Sequence, residues 1–412
     1  MKCSECGAEL TARAEAWCPR CGAALSETDS WEVDAASAGA AERRRPGRPP
    51  VTRRRLLLTL AVCCTLVAAA IGVGVYLLVR GPGAVETPLF PIVVDGKMGY
   101  IDTSGTVVIP VADYTERPVD DGTSHRFFEG LAAVGVGGKT GFIDPRGRLV
   151  IEASFDWAGD FRDGLARAWR GDQKGYIDRS GEFAIDGARF SVLQDFSEGL
   201  ACVVLPSRDE LLYGYIDKTG EVAVEPRFVD AGPFSEGLAA AAVLKSGSVR
   251  WGYIDRSGVW AVEPQFLAAT PFREGLAAVA GAIGENTWGY IDKTGSWVVE
   301  PRYWEARGFS EGLAAVTESG KKGRGVTEAA FIDKTGATIL GPFALADSFS
   351  EGLAAVVPEG GQRWGYVDEK GVWAIEPHYD EANPFAAGLA LVALDGKYRY
   401  IDAAGAVVWQ QE

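Results

Sequence analysis

From residue 88 onward the chain alternates apolar and polar positions in short runs of a strand's length, and each run ends at a glycine, proline or acidic residue. WGYIDKTGSWVVEP, residues 288 to 301, shows the pattern: WGYI leads into a polar turn and SWVV leads out, both rich in β-branched and aromatic residues. The triplet of aromatic, aliphatic and Asp recurs nine times, ending at Asp102, Asp144, Asp178, Asp217, Asp255, Asp292, Asp333, Asp368 and Asp402. The mean spacing is about 37 residues, a period typical of solenoids, propellers and other arrays. Each Asp is followed three positions later by Gly, from Gly105 to Gly405. Asp opening and Gly closing a type I turn predicts a β-hairpin with a bulge at the glycine. Within it, Tyr290 and Ile291 are expected to pair with Val298 and Val299.

A second motif, F-x-[DE]-G-L-A, opens an apolar run at Leu131, Leu165, Leu200, Leu238, Leu276, Leu313, Leu353 and Leu389. Each repeat therefore reads as three strands, LAAV, WGYID and VWAVEP, followed by a connection with room for a short fourth. The fold expected is mainly β, a tandem array of nine such meanders over 88–412. Since propellers typically have four to eight blades, nine copies favour a curved open array over the alternative, a propeller-like ring.

The residues ahead of the array have a different character. LLLTLAVCCTLVAAAIGVGVYLLV, residues 56 to 79, carries no charge and as a helix would rise about 36 Å, enough to cross a hydrocarbon core of about 30 Å. Seven arginines lie between 43 and 55, against Arg80 alone on the other flank. The positive-inside rule then places the N-terminus in the cytoplasm and 81–412 outside the cell membrane, as a single-pass protein. RRRPGRPP also resembles an AT-hook, but beside a membrane segment it reads as a topology signal. Segments 26–55 and 80–87 read as linkers.

Cys3, Cys6, Cys18 and Cys21 form C-x2-C-x11-C-x2-C, with Gly7 and Gly22 after each pair. Two such knuckles aim four thiolates at one point, the requirement of a tetrahedral zinc ion, so 1–25 is expected to be a zinc ribbon. Four protein ligands leave no open position, which makes the zinc structural. Cys202 stands alone in the array, so no disulfide framework holds it.

Charge narrows the partners. Residues 81–412 contain 30 Lys+Arg against 48 Asp+Glu, a net −18 that disfavours nucleic acid. Acids recur in the F-x-[DE]-G-L motif at Glu129, Asp163, Glu198, Glu236, Glu274, Glu311 and Glu351. Together with the nine Asp residues they raise a calcium-binding reading, but one acid per turn suits turn capping better. The only histidines, His125 and His378, meet no Ser/Asp or metal-ligand pattern, so no catalytic residues are assigned and enzyme activity is not expected. Trp288 and Trp297 remain weak ligand-binding candidates, with filling between repeats the plainer role.

The array resembles the bacterial WG-repeat (KWG-repeat) proteins over residues 88 to 408, on Trp251-Gly252, Trp288-Gly289 and Trp364-Gly365. In other copies the Trp slot holds Met98, Thr140, Lys174, Tyr213, Ala329 or Tyr398, and the Gly slot holds Ala330 and Arg399. The resemblance implies repetitive β structure and leaves activity open. The function expected is a membrane-anchored binding or scaffold protein whose outer domain recognises a protein or glycan ligand. The alternative is a transmembrane sensor coupled to the zinc ribbon; a carbohydrate-active hydrolase is the third reading.

Overall fold

The computed structural model describes residues 88–115, 125–207, 210–281, 287–318 and 328–411. The zinc ribbon, the membrane segment and both linkers fall outside these residues. Among the described residues no helix is long and apolar enough to cross a membrane.

The repeats form antiparallel sheets with neighbouring strands consecutive in sequence. The connection does hold the short fourth strand, which comes first in each sheet: Trp157–Ala158, Ala268–Ala269 and Glu381–Ala382 are examples. Three long strands, Val107–Thr115, Trp297–Ala306 and Thr338–Ala346, run from the outer edge of one sheet into the first position of the next. The first repeat has three strands, Phe90–Val94, Lys97–Ile101 and the start of Val107–Thr115.

Register within a repeat differs from the simple hairpin. Tyr290 faces Val299, but Ile291 faces Trp297, because the turn inserts a bulge between the two pairs. A second irregularity places Trp288 opposite Tyr303. There the strand arches at Pro301 over Gly289, where an added Cβ would stand 2.4 Å from the Val299 carbonyl oxygen and 2.7 Å from the Pro301 nitrogen. The glycine of the WG pair is thus coupled to the proline of the EP pair twelve residues later. Where that slot holds Ala330, glycine moves to the facing strand: a Cβ on Gly341 would lie 3.1 Å from the Ala330 Cβ.

Adjacent residues of the third strand point to opposite joints, as the two-residue period of a strand requires. Tyr290 packs with Ile332 of the following repeat, whereas Ile291 packs with Tyr253 of the preceding one. Every joint repeats this combination of an aromatic from one sheet and an aliphatic from the next. The combination also occurs where the ninth repeat meets the first, with Tyr400 packed against Ile101, Phe90 and Ile92. An open row of nine sheets would have eight joints; this one has nine, and the nine hydrophobic clusters are these joints.

The open array expected from the copy number is therefore replaced by a closed, propeller-like ring. The physical reason is that an open end would leave Phe90, Ile101 and Tyr400 in water, whereas closure leaves them 2%, 0% and 2% exposed.

Candidate functional site

The nine D-x-x-G turns are built alike. In the turn beginning at Asp292, the Gly295 N–H donates to the Asp292 carbonyl at 3.0 Å, and the Asp292 N–H to the Ser296 carbonyl at 3.0 Å. One carboxylate oxygen of Asp292 accepts from the Thr294 N–H at 2.9 Å, the Thr294 hydroxyl at 2.6 Å and the Ser296 N–H at 3.1 Å. The hydroxyl bond, ahead of the backbone bonds, holds the carboxyl of Asp292 below its ordinary range, and the same cause acts at Asp102, Asp178, Asp217, Asp255 and Asp333. These acids are turn residues, as the spacing implied.

The acids of F-x-[DE]-G-L act differently. Each motif is a two-residue turn in which the acid and the glycine both have positive φ, for example Glu236 at 54° and Gly237 at 85°. This is the geometry of a type I′ hairpin, where Asn or Asp is the usual first residue. The acid does not cap its own turn. Its carboxylate crosses to the next repeat and accepts the N–H of that repeat's turn glycine: Glu129 from Gly164, Asp163 from Gly199, Glu198 from Gly237, Glu236 from Gly275, Glu274 from Gly312, Glu311 from Gly352 and Glu351 from Gly388, at 2.6 to 3.1 Å. Seven carboxylates thus link eight turns in a row. A cation from the next D-x-x-G turn joins several of them: Lys293 Nζ lies 3.2 Å from Glu236, and Lys334 Nζ 3.1 Å from Glu274.

Sequence reasoning did not find this bridging, because a carboxylate's partner 35 or more residues away leaves no local signature. It also gave no role to the slot shared by Arg227, Gln265, Arg302 and His378. Arg302 donates to the Gly336 carbonyl of the next turn at 2.5 Å, and Arg189 and Arg227 do the same to Gly220 and Gly258. His378 instead lies exposed against its own strand, 2.6 Å from the Glu376 carbonyl.

The tyrosines of WGYI are joint residues as well. Tyr215, Tyr253, Tyr290 and Tyr366 each donate a hydroxyl bond to a backbone carbonyl in the next repeat, at 2.7 to 2.8 Å, and each packs edge or tilted against a phenylalanine of that repeat. Burial pushes their ionisation well above the ordinary range for a phenol.

Trp288 and Trp297 pack at the joints. Trp297 packs on the cluster of Tyr253 and Ile291, edge to face with Phe266 of the preceding repeat at 5.7 Å between centroids. Trp288 packs on the cluster of Tyr290. Both are half-buried, and they belong to different joints rather than to one platform. Trp304, 54% exposed, is the tryptophan most open to solvent among the described residues. No group of three or more His, Cys, Asp or Glu converges among the described residues, and Cys3, Cys6, Cys18 and Cys21 lie outside them.

The ring has two unlike ends. In an antiparallel meander the first and third turns lie at one end and the second at the other. The bridging motifs and D-x-x-G turns therefore share one end, where Arg179 donates to the Glu129 carbonyl at 2.9 Å. The opposite end carries the loops between second and third strands. They range from two residues, Asp95-Gly96 or Ser246-Gly247, to the stretch between Glu318 and Glu328.

The solved structure of a eukaryotic initiation factor is similar, with a TM-score of 0.57 at 11% identity, over 79% of this chain and 96% of that one. Dihydro-heme d1 dehydrogenase NirN gives 0.38 at 15% identity over 79% and 73%, and TolB from Acinetobacter baumannii 0.28 at 12% over 61% and 77%. The first of these likenesses is one of fold alone. No curated protein matches the sequence. The family described as WG containing repeat matches at residues 98–139, 141–168, 175–205, 213–243, 251–280, 288–321 and 364–398, together more than half of the chain. With its WG glycines accounted for by the arch at each following proline, the chain belongs to the WG-containing-repeat family.

Proposed function

We propose that the ring is a binding module whose ligand surface is the end formed by the loops between second and third strands. The observation that carries this reading is the division of labour between the two ends. At one, the recurring acids, arginines and glycines are consumed by contacts from each repeat to the next. At the other, length and sequence vary from copy to copy, which is where a rigid repeat scaffold places recognition. The stretches between Ala280 and Trp288 and between Glu318 and Glu328 are the longest of these connections, and the second carries Lys321, Lys322 and Arg324.

The sequence ahead of the ring supports an anchored arrangement. The apolar span 56–79 with its arginine flank would hold the ring outside the membrane, and Cys3, Cys6, Cys18 and Cys21 would hold a structural zinc on the cytoplasmic side. The ligand on this reading is an envelope protein or glycan. Replacing residues 282–286 and 319–327 with short Gly-Ser loops tests it in the full-length protein. Loss of envelope partners from crosslinked cells at unchanged protein level is expected; an unchanged partner set would sink it.

A further inference from the structure

The bridging row is broken at one place, and the break is a cavity. By alignment with the other copies, the first repeat should carry its turn acid at position 87 and its turn glycine at 88, but the sequence has Thr87 and Pro88. Pro88 has no N–H to receive a carboxylate, and the residue that would supply one, in the ninth repeat, is Ala387. Thr87 likewise offers no carboxylate to the turn glycine of the second repeat, Gly130. The cation slot of that repeat's D-x-x-G turn, filled by Lys293 or Lys334 elsewhere, holds Pro145. These four residues remove two successive bridges, from the ninth repeat to the first and from the first to the second.

What remains is a cavity of about 250 Å³ lined by Phe90, Phe127, Pro145, Ala387, Gly130 and Arg126, with Pro88 and Leu89 on its first-repeat side. Gly130 keeps the turn geometry of the other copies, with Glu129 at φ 51° and Gly130 at φ 76°. In the seven following turns the equivalent N–H binds a carboxylate from the preceding repeat. Among the described residues, Gly130 receives none.

We propose that this cavity is a site for a carboxylate carried on a small apolar body. The Gly130 N–H would take one carboxylate oxygen as its counterparts take Glu or Asp, Arg126 would supply the positive charge, and the Phe90, Phe127 and Pro145 walls would take the apolar part. The volume suits a branched four- or five-carbon acid or one C-terminal aliphatic residue of a peptide. The site lies at the opposite end of the ring from the variable loops and does not depend on their role.

The experiment is calorimetric titration of the full-length protein in detergent with isovalerate, with alanyl-alanyl-leucine, and with the C-terminal amide of that peptide. Saturable binding is expected for isovalerate, the peptide acid or both, and which of them binds distinguishes a free acid from a chain terminus. The peptide acid, if it is the ligand, should bind at least tenfold more tightly than its amide. Arg126→Gln should weaken binding at least tenfold while Arg126→Lys retains part of it, both at an unchanged unfolding midpoint. Absence of binding by both acids, equal binding of acid and amide, or full binding by Arg126→Gln would each overturn the proposal.

Discussion

The Tyr400 hydroxyl donates to the carbonyl of Pro91 at 2.9 Å, joining residues 309 positions apart in the chain. It is the bond by which Tyr290 reaches the Arg307 carbonyl at 2.7 Å, applied to the seam of the ring. The Phe90 ring stands edge-on to Tyr400 at 5.4 Å, as Phe309 stands to Tyr290 at 4.9 Å. Tyr400→Phe should cost about 1–2 kcal/mol, because a part-buried carbonyl loses its donor. Urea denaturation compared with Tyr290→Phe checks this; equal losses are expected, since seam and interior joints use the same bond.

The bridging acids make an unusual trade. Glu236 accepts the left-handed conformation, which costs a side-chain residue about 1 kcal/mol, in order to reach Gly275. Glu236→Ala loses the bridge and keeps the strain, whereas Glu236→Gly loses the bridge and relieves it. The glycine variant should therefore be the more stable of the two by about 1 kcal/mol in equilibrium unfolding.

Two turn glycines of equal φ should differ sharply on substitution. A Cβ at Gly237, φ 85°, meets nothing within 4 Å, while one at Gly295, φ 83°, would stand 2.8 Å from Val262 Cγ1 of the preceding repeat. Gly237→Ala should cost about 1 kcal/mol from conformation alone. Gly295→Ala adds overpacking at a joint and should cost about 2–4 kcal/mol in the same assay.

The turn aspartates contribute to the acid sensitivity of the fold. Their folded-state ionisation is lowered by the hydroxyl and backbone bonds, so the folded form binds fewer protons than the unfolded form around and below the ordinary aspartate range. The stability they contribute is complete above that range and falls as the pH drops through the lowered values. Asp292→Asn should flatten the loss of stability below about pH 4 relative to wild type, measured by thermal melting across that window.

Cys202 is 1% exposed and its thiol is pushed up to about 12, first by burial and then by the nearby Asp230. At pH 8 a maleimide should leave it unmodified in the folded protein and label it fully in 6 M guanidinium. It therefore reports folding of the ring rather than the side of a membrane on which the ring lies, and a topology probe needs a cysteine placed on an exposed loop.

The repeat period, the strand pattern and the D-x-x-G hairpins were legible in the sequence, because each depends on residues close together: Asp292 caps Thr294 and Ser296, and Gly295 follows within the same turn. The role of Tyr290 as a joint residue, the bridge from Glu236 to Gly275 and the grip of Arg302 on Gly336 were not, since each partner lies on the next sheet. Nor was closure. Whether nine sheets end or meet is set by whether the first and last joint surfaces fit, and that depends on the small rotation between successive sheets accumulated around the array. The substitutions Thr87, Pro88, Pro145 and Ala387 were visible as letters from the start. Only the ring brings Pro88, Pro145 and Ala387 around one cavity, beside Arg126 and a Gly130 N–H that receives no carboxylate among the described residues.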